Sequence, residues 1–298
     1  MTPKKAAVII INWNGKKNVL SCLESLSRIS SSPFGIIVVD NASWDGSPEV
    51  IKERFSDVRV IETGSNIGYG AACNLGALHA LGQGYDYLYF SNNDILFHPD
   101  FLKRLVDRMG AEPDLGILGA SVYHMDRPDE IQSLGLRFDR FHRIHNIEAI
   151  DGNATDGSFP VDSIMGGAFL MTREAFTQTS GFDPFYFMYF EEVDLCARTR
   201  EKGFRVATAL DAVVWHQVYG SFDGDETPLS VYYRFRNHLL FLKKNRSKAD
   251  YITYVAAGFA YVVPRKVLLS IKQKKGRLIS ACLKGWINGL TLMPIKHK

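Results

Sequence analysis

Apolar residues in this chain follow two alternating rhythms. Residues 6–12 (AAVIIIN) form an unbroken, largely β-branched run, the composition of a strand buried on both faces of a parallel sheet. Residues 17–29 follow with Val19, Leu20, Leu23, Leu26 and Ile29 at helical spacing, and 34–39 (FGIIVV) is a second buried strand that ends at Asp40. The alternation continues with a helix over 47–55, a short strand over 58–62, a helix opened by Asn66, Ile67 and Gly68 that runs to Ala80, and a strand over 85–90 that ends in Ser-Asn-Asn-Asp. Such alternation predicts an α/β fold: an open, mostly parallel sheet flanked by helices and wound by right-handed crossovers.

After Asp114 the rhythm loosens. Strands are expected over 115–123, 205–208 and 212–216, and helices over 173–178 and 191–203. Between them lie a polar surface excursion (127–157), an apolar stretch around Gly166 and Gly167 (163–172) and an aromatic-rich loop (182–189). From 232 onward the pattern changes again. Residues 232–244 place bases between helically spaced apolar residues, and 265–286 mix Leu, Ile and Trp with Lys and Arg. The apolar run 251–263 is short for a hydrocarbon core of roughly 30 Å. We therefore expect a domain over 1–230 and a basic amphipathic helical tail over 231–298, its helices lying in a membrane interface.

Charge sharpens that division. The net charge of +3 hides a tail with fifteen Lys and Arg against one acid, Asp250, a balance of +14, and a body at −11. A segment so basic points to an anionic partner, either nucleic acid or a membrane surface. The apolar run 251–263 favours the membrane, because phosphate-binding arms need no such run; nucleic acid is not an expected partner. Four scattered cysteines without metal-type spacing read as buried thiols of a reducing compartment. No secretory signal is visible at the start of the chain, so the expected location is the cytoplasmic face of an inner membrane, peripherally attached.

Ligands of open α/β sheets bind beyond the carboxyl ends of the strands. Three expected strands end there in polar residues: Asn12 with Asn14, Asp40 with Asn41, and Asn93 with Asp94. Asn and Asp favour turns anyway, so one such end says little; three on one sheet edge say more. Asp40 could accept from a ribose or base, while Asn66, Gly68 and Asn74 mark a helix start where backbone can approach a nucleotide. Asp94 is the candidate ligand for Mg²⁺ or Mn²⁺, and His216, though a lone histidine is usually structural, is a candidate second one. The acids Glu191, Glu192 and Asp194 open a helix. Macrodipole complementarity explains acids there, but not their pairing with an aromatic run that could stack on a sugar, and Glu suits a general base.

Taken in order, VIIINWNG, VVDNASWDGS, NIGYGAACNLG, SNNDILFHPDF, GGAFLMTREAF and GFDPFYFMYFEEVDLCARTREKGFRV resemble glycosyltransferase family 2, and within it a bacterial rhamnosyltransferase-like branch. The resemblance covers about residues 6–220. It implies a GT-A fold, a nucleoside-diphosphate sugar donor (dTDP-rhamnose favoured, a UDP-sugar possible), a divalent metal and inversion at the anomeric carbon. Carried over by motif, Asn14, Asp40 and Asn66 would contact the nucleoside, Asn93 and Asp94 would form the metal motif, and Gly166 and Gly167 would pass close to the donor sugar. Glu192 would be the base, Asp194 and Arg198 would organise its helix, and His216 would complete the metal shell. The tail suggests a saccharide or lipid-linked acceptor. Two positions depart from the pattern: the metal motif is Asn-Asn-Asp, one carboxylate short, and the base is Glu rather than Asp. A nicotinamide-dependent oxidoreductase is the rival enzyme class, but Asn-Trp-Asn-Gly stands where G-x-G-x-x-G belongs. A catalytically silent sugar-nucleotide-binding module is the other alternative.

Overall fold

The computed structural model describes residues 4–29, 34–140, 142–149, 157–217 and 226–292. The end of the tail beyond 292 and part of the expected surface excursion, 150–156, lie outside them.

The first half winds as its apolar rhythm predicts. β1 (Ala6–Asn12), α1 (Lys16–Leu26), β2 (Phe34–Asp40), α2 (Ser47–Arg54), β3 (Val58–Glu62), α3 (Tyr69–Gly82) and β4 (Tyr87–Asn92) form a parallel block in the order β3-β2-β1-β4. Strand order reverses between β1 and β4, which places a ligand crevice beyond Asn12 and Asn92. Alternate residues of β1 serve two cores. Val8 and Ile10 meet α1, whereas Ile9 and Ile11 pack with Ala72, Cys73 and Ala77 of α3.

β5 (Ile95–Phe97), α4 (Phe101–Ala111), β6 (Leu115–His124) and β7 (Ile131–Ser133) continue the chain. A two-stranded hairpin, β8 (Leu136–Phe138) and β9 (Ile144–Asn146), follows, then β10 (Ser158–Pro160), β11 (Ala168–Thr172), α5 (Arg173–Thr179), a 3₁₀ turn (Pro184–Tyr186), α6 (Glu191–Glu201) and β12 (Arg205–His216). β11 runs antiparallel between β4 and β6, and β12 lies parallel to β6, so the sheet is mostly parallel with one reversed strand inside. The two late strands expected from sequence are one strand, interrupted by a register shift between Ala209 and Val213.

The tail corrects two expectations. Its first helix, α7 (Pro228–Asn245), is not a surface helix: Leu239 to Leu242 are buried, and Phe138 of the β8–β9 hairpin stacks on Phe241. The hairpin, expected as a surface excursion, is thereby docked on α7. The short apolar run is also longer than it reads. α8 (Lys248–Ala257), a π turn (Gly258–Val262) and α9 (Val263–Lys272) form one helix, Lys248–Lys272, of 25 residues, long and apolar enough to cross a membrane by length and composition. Only 17% of its most apolar window is buried. α10 (Gly276–Thr291) returns along α7 and seats Trp286 against Tyr254 and Phe259.

Candidate active site

Beyond the carboxyl ends of β1, β2 and β4 the polar strand ends do meet, but they divide into a buried frame and a lined cavity. Asn12 is fully buried. Its Nδ2 donates to Asp40 at 2.8 Å, to Ser47 Oγ at 2.8 Å and to Ser43 Oγ at 3.2 Å, while its Oδ1 accepts from Asn93 Nδ2 at 2.7 Å. Asp40 is buried too, and its two oxygens accept from Asn12, the Ser43 backbone N–H and the Ser43 hydroxyl. Asn14 joins the same frame, accepting from the Trp44 N–H at 2.9 Å. These residues tie three strand ends together, the arrangement expected when buried polar groups must each find a partner. Asn74 stands apart, clamping α3 to the loop before α6 through both the N–H and the carbonyl of Phe182.

The cavity, about 330 Å³, opens above this frame and is lined by Asn41, Asn66, Gly68, Asn92 and Asn93, with Phe187 across from them. Asn41 donates to Asn66 Oδ1 at 3.1 Å, and Asn66 Oδ1 also accepts from the Gly68 N–H. Gly68 has a φ of +86°, and a Cβ there would lie 2.5 Å from the Phe187 carbonyl oxygen, so only glycine lets the aromatic loop close this wall. Gly68 at the α3 start thus serves close approach of the Phe187 loop, whereas the sequence led us to expect backbone approach to a nucleotide there.

Asp94 turns to the other side of the Asn92–Asp94 corner, into a neighbouring cavity of about 530 Å³ shared with Lys17 and His124. The Asp94 carboxylate is buried, and its Oδ1 makes no hydrogen bond but lies 3.3 Å from His216 Nε2. The Gln132 amide faces His216 Nδ1, its nitrogen at 3.1 Å and its oxygen at 3.2 Å; with the oxygen accepting the Nδ1–H, the Nε2 lone pair would face Asp94. A buried carboxylate oxygen without a donor, facing an oriented imidazole, fits a divalent cation. No cluster of three or more His, Cys, Asp or Glu surrounds it among the described residues, so these two groups would hold the ion and diphosphate oxygens and water would supply the rest.

The acid pair lies at the start of α6. Phe187, Tyr189 and Phe190, none of them glycine, all have positive φ (65°, 63° and 74°) in the approach to it. Gly166 sits beside Glu192: a Cβ there would come within 3.3 Å of the Glu192 Cδ, so glycine leaves the carboxylate open on that side. Gly167 follows, its carbonyl accepting from the Asn92 N–H at 3.1 Å, which carries the chain from Glu192 to the cavity wall. Burial raises the Glu192 carboxyl to about 7. Glu191, buried, is raised by its desolvation and then by the charge of Glu192. Asp194 differs: burial alone would raise it, yet Arg198, Lys244 and Asn245 outweigh that and lower it. Arg198 Nε lies 2.7 Å from Asp194 and Lys244 Nζ 3.1 Å, and Tyr186 donates to it at 3.0 Å. Sequence reasoning pointed to Asp194 and Arg198 but missed Lys244, Asn245 and Asn237; their signal was only polar residues on an otherwise apolar helix face.

Comparison with known proteins places this geometry. The profile of Glycosyl transferase family 2 matches residues 7–195. N-acetylglucosaminyl-diphospho-decaprenol L-rhamnosyltransferase of Mycobacterium tuberculosis is 28% identical over 233 residues, 70% of this chain and 75% of that one. dTDP-rhamnosyl transferase RfbF of Shigella flexneri is 24% identical over 254 residues, covering 80% and 79%. Among solved structures, GalNAc-T7 with UDP, GalNAc and Mn²⁺ superposes with a TM-score of 0.68 at 14% identity, over 97% of this chain and 56% of that one. The mannosyltransferase PcManGT of Pyrobaculum calidifontis, in complex with GDP-Man and Mn²⁺, gives 0.60 at 15% identity over 96% and 87%. The fold is that of the GT-A glycosyltransferases. With the family match spanning most of the chain, the chain belongs to glycosyltransferase family 2 and is a glycosyltransferase.

Proposed function

We propose that this enzyme transfers a sugar, rhamnose favoured, from a nucleoside-diphosphate donor to a hydroxyl of a lipid-linked saccharide, with inversion, at the cytoplasmic face of a membrane. The observation that carries the chemistry is Glu192, raised by burial and left open by Gly166 beside the Asn92–Asp94 corner. The nucleoside takes the cavity of Asn41, Asn66 and Gly68. Asp94 and His216 would hold a divalent cation, which would supply charge neutralisation for the departing diphosphate. Glu192 accepts the proton of the acceptor hydroxyl as its oxygen bonds to the anomeric carbon, and the carbon–oxygen bond to the diphosphate breaks with its electron pair. Attack opposite the leaving group inverts the centre in one displacement. Orientation and electrostatic complementarity contribute most of the acceleration.

The donor reading draws on the names of the two rhamnosyltransferase relatives, and the acceptor reading on the decaprenyl-diphosphate substrate in one of those names. The membrane reading rests on the tail. Ile252, Phe259, Leu268 and Ile271 of the long helix are 65%, 61%, 66% and 58% exposed, and Lys272, Lys274 and Arg277 cluster at its end. Such a surface suits an anionic bilayer, each base near it adding about 1 kcal/mol. The test is a thermal-shift panel of dTDP-, UDP- and GDP-sugars with and without Mn²⁺, followed by determination of the anomeric configuration of the product. Stabilisation by dTDP-rhamnose beyond the other donors and an inverted product are expected; a retained configuration rules out the single displacement.

A further inference from the structure

A third cavity, about 590 Å³, lies between α7 and the long α8–α9 helix. Phe190, the residue that opens α6 ahead of the acid pair, lines it. Its walls divide by chemistry. Arg143, Arg234, Arg265 and Lys266 bring four cations to it against one lining carboxylate, Glu226, and Tyr261 and Leu269 of α8–α9 supply an apolar side. The cations are held differently. Lys266 pairs with Glu226, Arg234 lies 3.9 Å from the same carboxylate, and Arg143 pairs with Asp139 at 2.7 Å. Arg265 is exposed, lies over the Tyr261 ring at 5.7 Å and has no carboxylate within 4.0 Å among the described residues. Tyr261 and Leu269 continue into the exposed apolar surface of the same helix.

A recess with surplus positive charge on one side and an apolar exit on the other matches a ligand that is itself divided. We propose that this cavity binds the diphosphate of a polyprenyl-diphosphate-linked acceptor, with the prenyl chain leaving over Tyr261 and Leu269 toward the bilayer. This inference rests on the lipid-linked reading of the acceptor given above. Arg supplies forked donors that match phosphate oxygens, and because basic pockets can also take lipid headgroups, the vesicle arm of the test separates the two. The saccharide carried on the diphosphate would then extend past Phe190 toward Glu192, which explains why one aromatic side chain both walls this cavity and opens the catalytic helix.

The test uses the full chain and three probes, farnesyl diphosphate, farnesol and inorganic diphosphate, each titrated by calorimetry below its micellar concentration. The wild type is expected to bind farnesyl diphosphate at least tenfold tighter than either other probe, also with dTDP saturating. The double variant Arg234→Ala/Arg265→Ala, changed at two exposed positions, should lose about tenfold or more of that affinity and keep its affinity for dTDP. Equal farnesyl diphosphate binding by the double variant overturns the proposal, and so does complete displacement of the probe by dTDP, which would place it in the donor cavity. Loss of binding to phosphatidylglycerol vesicles with farnesyl diphosphate binding intact also overturns it, assigning the arginines to headgroups. Transfer to a prenyl-diphosphate sugar with an unchanged KM in the double variant defeats the cavity while sparing the acceptor reading. Transfer by the wild type to soluble glycosides alone, with no farnesyl diphosphate binding, defeats both.

Discussion

Asn237 Nδ2 lies 2.7 Å from the carbonyl oxygen of Tyr189, and with that contact a tail helix holds the loop that leads into Glu191 and Glu192. The same amide also reaches the carbonyls of Tyr186 at 2.9 Å and Met188 at 2.8 Å, and Arg236 Nη2 donates to those of Phe185 and Tyr186. Three non-glycine residues with positive φ persist in this loop because α7 pins its carbonyls. Strained backbone of this kind costs about 1–3 kcal/mol per residue and survives only where the surroundings over-determine it.

Replacing Asn237 with Leu should therefore lower kcat by roughly 10- to 100-fold, since misplacing reacting groups by about 1 Å can cost that much. Donor affinity should change far less, because Asn41 and Asn66 lie on other elements. Calorimetric binding of the nucleotide beside steady-state kinetics separates the two effects. An unchanged kcat would mean that the loop keeps its shape without this clamp.

Glu192→Gln should fold, bind donor and lose roughly 10²- to 10⁴-fold in turnover, the range for loss of a general base. In the wild type, kcat should rise with pH through about 7, as the carboxyl that burial has raised gives up its proton. The linkage has the opposite sign. The native state holds protons on Glu191 and Glu192 that the unfolded chain releases from about pH 4.5 upward, so these acids cost stability as pH rises through that window. The Gln variant should accordingly melt higher than wild type at pH 8 and closer to it at pH 5, measured by calorimetry.

Lys244→Met removes a cation from two buried carboxylates, Asp194 at 3.1 Å and Asp183 at 2.6 Å. Breaking a buried pair from one side costs about 3–5 kcal/mol. Asp194 is lowered in the native state, so its contribution is present above its unfolded value near 3.8 and is lost as pH falls through the lower folded value. The variant should be destabilised at pH 7, with the gap to wild type narrowing on acidification. A constant gap from pH 7 to pH 3 would show that Arg198 and Asn245 alone hold the carboxylate.

Asp94→Asn and His216→Ala should each abolish the extra thermal stabilisation that Mn²⁺ adds to the dTDP complex, while dTDP alone still binds. Gln132→Ala should weaken the Mn²⁺ effect by roughly 10- to 100-fold in affinity without abolishing it, as expected for a residue that orients a ligand. Mn²⁺-dependent stabilisation that survives Asp94→Asn would move the metal elsewhere.

Much of this enzyme was legible in one dimension. Unbroken apolar runs, β-branched at β1 and β2 and mostly aromatic at β4, fit strands covered on both faces, and the helically spaced stretches between them dictate crossovers and a shared ligand edge. The candidate residues were legible because turn-forming Asn and Asp recur at the ends of β1, β2 and β4. Their division of labour was not. Asn12 and Asp40 are internal struts and Asn41 and Asn66 line the cavity, a distinction set by which side of each turn faces solvent once four strands are aligned. The tail shows the same limit from the other direction. Its charge and apolar content mark it as distinct, yet local spacing carries no record of partners some fifty residues away. Only the packed structure brings Asn237 to Tyr189 and Lys244 to Asp194, and burial there turns two ordinary polar residues of a basic helix into supports of α6 and the loop before it.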